Sequence, residues 1–290
     1  MEIALFLAGT KGANFLRSFH EGASVIQVVS YRSRGLCHDP CAEIQDICKA
    51  RGYKYCDRDD VSPTSYSHAH LIFMIGWQWL LPEIDPRFIV LHDSLLPRFR
   101  GFSPTVTALI LGETHLGVTA FKPDTGTDSG LICGQKEILV HYPVTIREIY
   151  DRLGIAYVEL VRQIIEEYTT GSLKFYPQRA EEATFSLWRD EADYQIDWNS
   201  SADSIVRYVD ALGHPYLGAK TILQGREIRI DRVEVTSDVV FEYRQPSKIW
   251  SITNNIPTVV CGSGMLKILD ARENEGGAVR FDSLRVRLGI

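Results

Sequence analysis

Short, predominantly apolar runs, too short for buried helices, alternate with helically spaced segments through the first half of the chain. Residues 3–8, 25–30, 71–75 and 88–91 are such runs, and each predicts a strand buried on both faces. Phe15, Leu16 and Phe19 share one face of a helix over residues 13–20, and Ile44, Ile47 and Cys48 do the same over residues 39–51. Strand and helix in repetition imply a parallel sheet with crossover connections. A helix over residues 105–111 and a strand through residues 117–121 follow. Thr145 and Glu148 then make a capping box for a long amphipathic helix that ends near Gly171.

Beyond Gly171 the pattern changes. Pro177, Gln178 and the charged residues 179–182 read as a linker, and residues 199–203 can cap a short helix over residues 204–212. Alternating strands come next, over residues 219–223, 227–235, 247–253, 258–261 and 265–270, with Gln224-Gly225 and Gly262-Ser263-Gly264 as turns. The expected fold class is therefore α/β: a mostly parallel sheet domain over 1–177, a linker over 178–203, and a small, mostly antiparallel β-rich domain over 204–290.

Chemistry gathers where the apolar runs stop. His92 follows the run 88–91 and opens a Pro- and Gly-punctuated loop, so it stands at a strand's carboxyl end. In open α/β sheets that edge is where ligands bind, and an imidazole there is placed to move protons. The strand before Lys122 runs into a loop with Asp124, Thr125, Gly126, Asp128 and Gly130, which can bring a carboxylate beside the imidazole. Strand 71–75 ends in Gly76-Trp77-Gln78-Trp79, followed by Leu80, Leu81 and Pro82. The two tryptophans either flank a planar ligand or pack the core. Gly9, Thr10, Lys11 and Gly12 lie between a strand and a helix, where they suit either an anion or a tight turn. Ser94, Thr119 and Thr125 are secondary polar candidates.

Composition narrows the classes. A net charge of −6 and a pI near 5.8 give no global pull on nucleic acid. No apolar run approaches the roughly 20 residues of a membrane span, and the opening residues lack the basic head of a signal peptide, so a cytoplasmic protein is expected. Cys37-His38-x-x-Cys41 has no partner pair elsewhere. The six cysteines therefore read as reduced thiols rather than zinc ligands, and no metal is expected.

Two stretches together carry a resemblance. His92-Asp93-Ser94-Leu95-Leu96-Pro97, then Gly112-Glu113-Thr114, Gly117-Val118-Thr119 and Asp128-Ser129-Gly130, resemble the formyltransferase family that uses 10-formyltetrahydrofolate. Its pattern is Asn-x-His-x-Ser-Leu-Leu-Pro followed by Gly-Val-Thr and an Asp-x-Gly loop. One position departs: Val90 stands where the family has Asn. The resemblance implies a Rossmann-like catalytic domain and a barrel-like C-terminal module, with residues 185–198 connecting them and 214–219 matching the module's Pro-Gly-Ala signature. It implies His92 and Asp128 as catalytic residues. Folate contacts would come from Gly76, Trp77, Gln78, Trp79, Thr125 and Gly126, and acceptor contacts from Gly9, Thr10, Lys11, Ser94 and Arg100. The cosubstrate is 10-formyltetrahydrofolate, without a metal.

On this resemblance the leading reading is N-formylation of a nucleotide-linked amino sugar, as in polysaccharide biosynthesis. The second is formylation of methionyl initiator tRNA. Residues 31–39 hold only Arg32 and Arg34 as basic residues and 178–191 carry more acid than base, which favours a small-molecule acceptor over tRNA. A third reading, a non-catalytic folate or sugar-nucleotide binding protein, is motivated by Val90. A homodimer is compatible with all three.

Overall fold

The apolar runs of the first half become neighbouring strands in a computed structural model of the chain, which describes residues 1–20, 22–33, 35–79 and 84–289. In chain order they are β1 (Glu2–Leu7), α1 (Gly9–Ser18), β2 (Ser24–Ser30), α2 (Cys41–Arg51), β3 (Tyr55–Asp57), β4 (Leu71–Ile75) and β5 (Phe88–His92). Then come β6 (Arg100–Gly101), α3 (Pro104–Leu111), β7 (His115–Phe121), β8 (Ile132–Leu139), α4 (Ile146–Thr169) and β9 (Phe185–Ser186). The main sheet has the order β3-β2-β1-β4-β5-β7-β8. Its first five strands are parallel, and β7 and β8 add antiparallel at one side. Strand order runs one way from β1 to β3 and the other way from β4 on, and such a switch point between β1 and β4 opens a crevice at the strands' carboxyl ends.

Residues Met1–Thr105, Thr114–Val140 and Glu148–Leu187 form one compact unit; Val106–Glu113, His141–Arg147 and Trp188–Ile290 form another. The stretch expected as linker from residue 178 is bonded into the first unit as far as Ser186. β6 pairs with β9, Arg100 donates its N–H to the Thr184 carbonyl at 2.8 Å, and Phe102 donates to the Ser186 carbonyl at 3.0 Å.

The second unit contains α5 (Ala202–Leu212), capped by Ser201, and β10 (Ala219–Leu223), β11 (Arg226–Thr236), β12 (Ile249–Thr253), β13 (Ile256–Val260) and β14 (Met265–Glu273). These strands form an antiparallel sheet ordered β10-β11-β14-β13-β12. Its two edges meet through the C-terminal tail. Ile249 donates to the Val286 carbonyl (3.0 Å) and Leu288 to Ser247 (2.9 Å) on one side, and Gly289 donates to Ile222 (2.8 Å) on the other. The tail closes the sheet, which accounts for the expected barrel-like form and leaves little free edge. Among the described residues no helix is long and apolar enough to cross a membrane.

Candidate active site

β5 builds the centre of the site. Phe88, Val90 and His92 share one face of this strand by its two-residue period, and Asp93 follows on the other face. His92 is 7% exposed, and its Nε2 lies 2.8 Å from the carbonyl oxygen of Phe99. A carbonyl only accepts, so Nε2 carries the proton, and in the neutral ring Nδ1 presents its lone pair. Nδ1 stands 3.6 Å from Asp128 Oδ2. That separation exceeds a hydrogen bond but permits ion pairing once the ring takes a proton. The Asp128 carboxylate is itself held, because Oδ2 accepts the Gly101 N–H at 2.7 Å.

A second charged pair lies directly behind His92. Asp93 is buried; its two oxygens accept from Lys11 Nζ at 2.8 and 2.9 Å, and Oδ2 also accepts from Thr105 Oγ1 at 2.5 Å. Burial pushes the Asp93 carboxyl upward, but the positive charge of Lys11, then that of the His92 ring in its protonated form, and hydrogen bonds from Lys11 and Thr105 outweigh it. The carboxyl ends below the ordinary range. Lys11 is therefore matched to Asp93, and it also lies 5.4 Å from the centre of the Tyr150 ring.

The other residues named from the sequence fall around this centre. Gly9 and Thr10 form the first turn of α1, with Ala8 as its N-cap. Gly76, at the end of β4, has φ +66° and presses against the Ala8 carbonyl, where a Cβ would overlap the oxygen; this contact joins the two loops at the switch point. The Gln78 N–H donates to Tyr31 Oη at 3.2 Å. Trp77 packs edge-on against Phe6 (5.0 Å) and Tyr31 (5.1 Å), and its buried Nε1 has no hydrogen-bond partner among the described residues. Trp79 is 52% exposed, with the Arg58 guanidinium stacked 3.9 Å from its ring centre. Leu80, Leu81 and Pro82 of this loop, and Arg34, lie outside the described residues.

Thr125 and Gly126 are exposed on a loop tied by Asp124, whose Oδ1 accepts from the Gly126 N–H (3.0 Å) and from Ser129 Oγ (2.8 Å). Ser94 and Arg100 are buried with their polar groups engaged. Ser94 Oγ donates to the Arg98 carbonyl at 2.7 Å, and Arg100 donates to Gln178 Oε1. Thr119 Oγ1 bridges the same loop, donating to the Ser94 carbonyl at 2.7 Å and accepting from Leu96 N at 3.0 Å. Asp93, Tyr31 and Arg58 went unmarked in the sequence reading. The signal for Asp93 was present, since an acid directly after a strand-end histidine faces the opposite side of the sheet and needs a cation there.

Val90 is explained by its row. Phe6 lies opposite Met74 and Met74 opposite Val90 across three parallel strands, and Val90 and Trp77 pack on that apolar cluster. The aromatic loop, with a buried indole N–H left over and an exposed second indole, fits a flat heterocycle that accepts hydrogen bonds. Among the described residues no group of three or more His, Cys, Asp or Glu is placed to hold a metal ion.

A mostly parallel sheet with an imidazole and a carboxylate at its carboxyl edge, followed by a closed antiparallel module, defines an α/β protein with a candidate acid–base site. Comparison with known proteins specifies which. Residues 67–165 match the formyl transferase family and residues 189–284 match the formyl transferase C-terminal domain, in that order. The chain belongs to the formyltransferase family. It is 32% identical over 200 residues to a methionyl-tRNA formyltransferase from Acidovorax ebreus (strain TPSY), an overlap of 69% of this chain and 62% of that protein's length. Among solved structures it is similar to WlaRD, a sugar 3N-formyl transferase crystallised with dTDP and 5-N-formyl-THF. That pair has a TM-score of 0.65 at 15% identity, over 98% of this chain and 99% of the other. An N-formyltransferase from Helicobacter canadensis, in complex with folinic acid and dTDP-3-aminofucose, gives a TM-score of 0.64 at 12% identity, over 96% and 99%. HypX from Aquifex aeolicus with tetrahydrofolic acid gives 0.62 at 16% identity, over 97% of this chain and 46% of HypX.

Proposed function

We propose that this protein transfers a formyl group from 10-formyltetrahydrofolate to the amine of a nucleotide-linked amino sugar. The observation that carries the reading is the His92–Asp128 pair at the carboxyl edge of the sheet, with Nε2 of the ring anchored and Nδ1 turned to a carboxylate. The folate supplies an activated formyl group. Loop 76–79 would hold its ring, with Trp79 as a stacking surface and Trp77 Nε1 as a donor.

The chain's own residues then have three tasks. His92 Nδ1 takes a proton from the attacking amine as the new C–N bond forms, because its lone pair is the one the Phe99 contact leaves available. Asp128 stabilises the resulting imidazolium and fixes the ring plane. The imidazolium then offsets the charge that develops on the formyl oxygen, and it returns the proton to the departing folate nitrogen. Val90 contributes no hydrogen bond to that oxygen. Two backbone donors of the flanking loops, the N–H groups of Gln78 and Gly126, are already directed at Tyr31 and Asp124. On this reading His92 carries that load.

A small acceptor is favoured by charge. Arg179 is paired with Glu182 at 3.0 Å, Arg229 and Lys220 both reach Glu191, and Arg189 is turned to Thr107 Oγ1 at 3.0 Å, so most of the basic side chains about the connector are engaged within the protein. A tRNA reader needs unmatched cations facing phosphates. The second reading, formylation of methionyl-tRNA, is favoured by the Acidovorax relative. Competition separates the two: dTDP-3-aminofucose, the sugar in the Helicobacter complex, is offered with 10-formyltetrahydrofolate in the presence of methionyl-tRNA. Formamide on the sugar, with no inhibition by the tRNA, is expected. Formylation of the tRNA with a steep salt dependence reverses the ranking.

A further inference from the structure

Gln178 belongs to none of the motifs above, and sequence pattern places it at the start of the linker. Its side-chain amide nevertheless makes four hydrogen bonds beside His92 and Asp128. Nε2 donates to the carbonyls of Asp128 and Gly130, both at 2.8 Å, while Oε1 accepts from Arg100 Nε at 3.1 Å and from Arg100 Nη2 at 2.7 Å. The residue after Arg100 is Gly101, whose N–H holds the Asp128 carboxylate. The bonds close a circuit that runs from Arg100 through Gln178 to the Asp128 backbone, then through its carboxylate to Gly101 and back.

Two features make this circuit more than a linker contact. Asp128 has φ +47°, a left-handed conformation that a non-glycine residue keeps only when its surroundings hold it there. Gly130, two residues on, crowds the Lys122 carbonyl so closely that any Cβ would overlap it. The loop is thus held at both peptides by one NH2 group. The buried Arg100 in turn needs an acceptor that takes two N–H bonds on one oxygen. Only a primary amide offers a donor fork and such an acceptor on one rigid plane, and asparagine is one methylene shorter.

We propose that Gln178 is a positioning residue for formyl transfer, holding the Asp128 loop so that the carboxylate meets His92; this rests on the reading of Asp128 given above. Gln178→Glu separates positioning from docking. It keeps the shape and the acceptor for Arg100, which becomes an ion pair, but turns lone pairs toward the Asp128 and Gly130 carbonyls.

The test is a double-mutant cycle of Gln178→Glu with Asp128→Asn, following formamide formation from 10-formyltetrahydrofolate and a panel of dTDP- and UDP-linked amino sugars that includes dTDP-3-aminofucose. Gln178→Glu alone is expected to lower kcat at least about tenfold with KM for the folate changed less than about threefold, as for a misplaced catalytic group. In the Asp128→Asn background it should lower kcat less than about twofold further, because residues that act through one another are not additive. Gln178→Leu, which removes all four bonds without adding charge, should show the same non-additivity and covers the case in which the glutamate variant misfolds. Losses that multiply, or a Gln178→Glu protein with wild-type kcat, overturn the proposal while leaving Asp128 in its role. A wild type that forms no formamide with any acceptor overturns the underlying reading and this proposal with it.

Discussion

Replacing Lys11 by Met removes the cation from a carboxylate that has almost no access to water. Asp93 is 7% exposed and Lys11 19%, with 2.8 Å between Nζ and Oδ2. At an effective dielectric constant of about 20, that separation corresponds to an attraction of about 6 kcal/mol. Desolvation of both ions offsets most of it, so the intact pair adds little net stability, yet orphaning one partner costs about 3–5 kcal/mol. Thr105 keeps its hydrogen bond to Asp93, which puts Lys11→Met near the lower end, at about 3 kcal/mol. Asp93→Asn should cost less, about 1–2 kcal/mol, because the lysine it strands can turn its ammonium toward water. The double variant should be less destabilised than the sum of the two.

The pH dependence distinguishes this account from simple loss of packing. In the wild type the folded Asp93 carboxyl lies below its unfolded value of about 3.9, so its contribution is complete above that pH and is lost as pH falls through the lower folded value. In Lys11→Met the largest influence, burial, is no longer opposed by the lysine, and the folded carboxyl rises above the unfolded value. Its penalty is then full at neutral pH and fades toward about pH 4. Urea unfolding at pH 7 and at pH 4.5 measures the gap between variant and wild type, which should narrow with acid. A gap below about 1 kcal/mol at pH 7, or one that widens with acid, refutes the reasoning.

Three further outcomes are expected. His92→Ala and Asp128→Asn should each lower kcat for formyl transfer at least about a hundredfold with the fold retained by circular dichroism, and near-normal turnover removes that residue from the mechanism. Folate should quench tryptophan fluorescence saturably, and Trp79→Ala should abolish most of the effect, since Trp79 is open to solvent whereas Trp77 is packed on Phe6 and Tyr31; an unchanged titration assigns the loop to packing alone. Val90→Asn should change kcat less than about tenfold, or 1.4 kcal/mol, because the apolar row of Phe6 and Met74 gives the amide no fixed direction; a large gain in activity marks Val90 as the site of a lost function.

Residues buried on both faces were the legible ones. β1, β2, β4 and β5 are short, predominantly apolar runs, the last of which ends at His92, and the turn-punctuated alternation after residue 218 announced the antiparallel module. β3 is three half-buried residues, Tyr55–Asp57, too short for any period to show. β8 lies at the sheet's edge, exposes Gln135, Glu137 and Leu139 while half-burying Lys136 and Ile138 between them, and carries charges that read as loop. Gln178 escaped for another reason: it matters through Arg100, 78 residues away, and no local pattern encodes such a meeting; for Asp93 the local pattern calls for a cation but does not name Lys11, 82 residues away. Val90 was legible only as a departure. The row of side chains that makes valine fit there exists only once three strands are side by side.

On the reading proposed above, the imidazole and carboxylate at the sheet edge move a formyl group onto the amine of a nucleotide-linked amino sugar. The most direct measurement incubates the wild-type protein and His92→Ala with 10-formyltetrahydrofolate and dTDP-3-aminofucose, together with other nucleotide-linked amino sugars, and follows each by mass spectrometry. The account predicts that at least one sugar gains a single formyl group with turnover by the wild type and that His92→Ala forms at most about one hundredth as much in the same time. Saturable folate binding with no formyl gain on any amino sugar contradicts it.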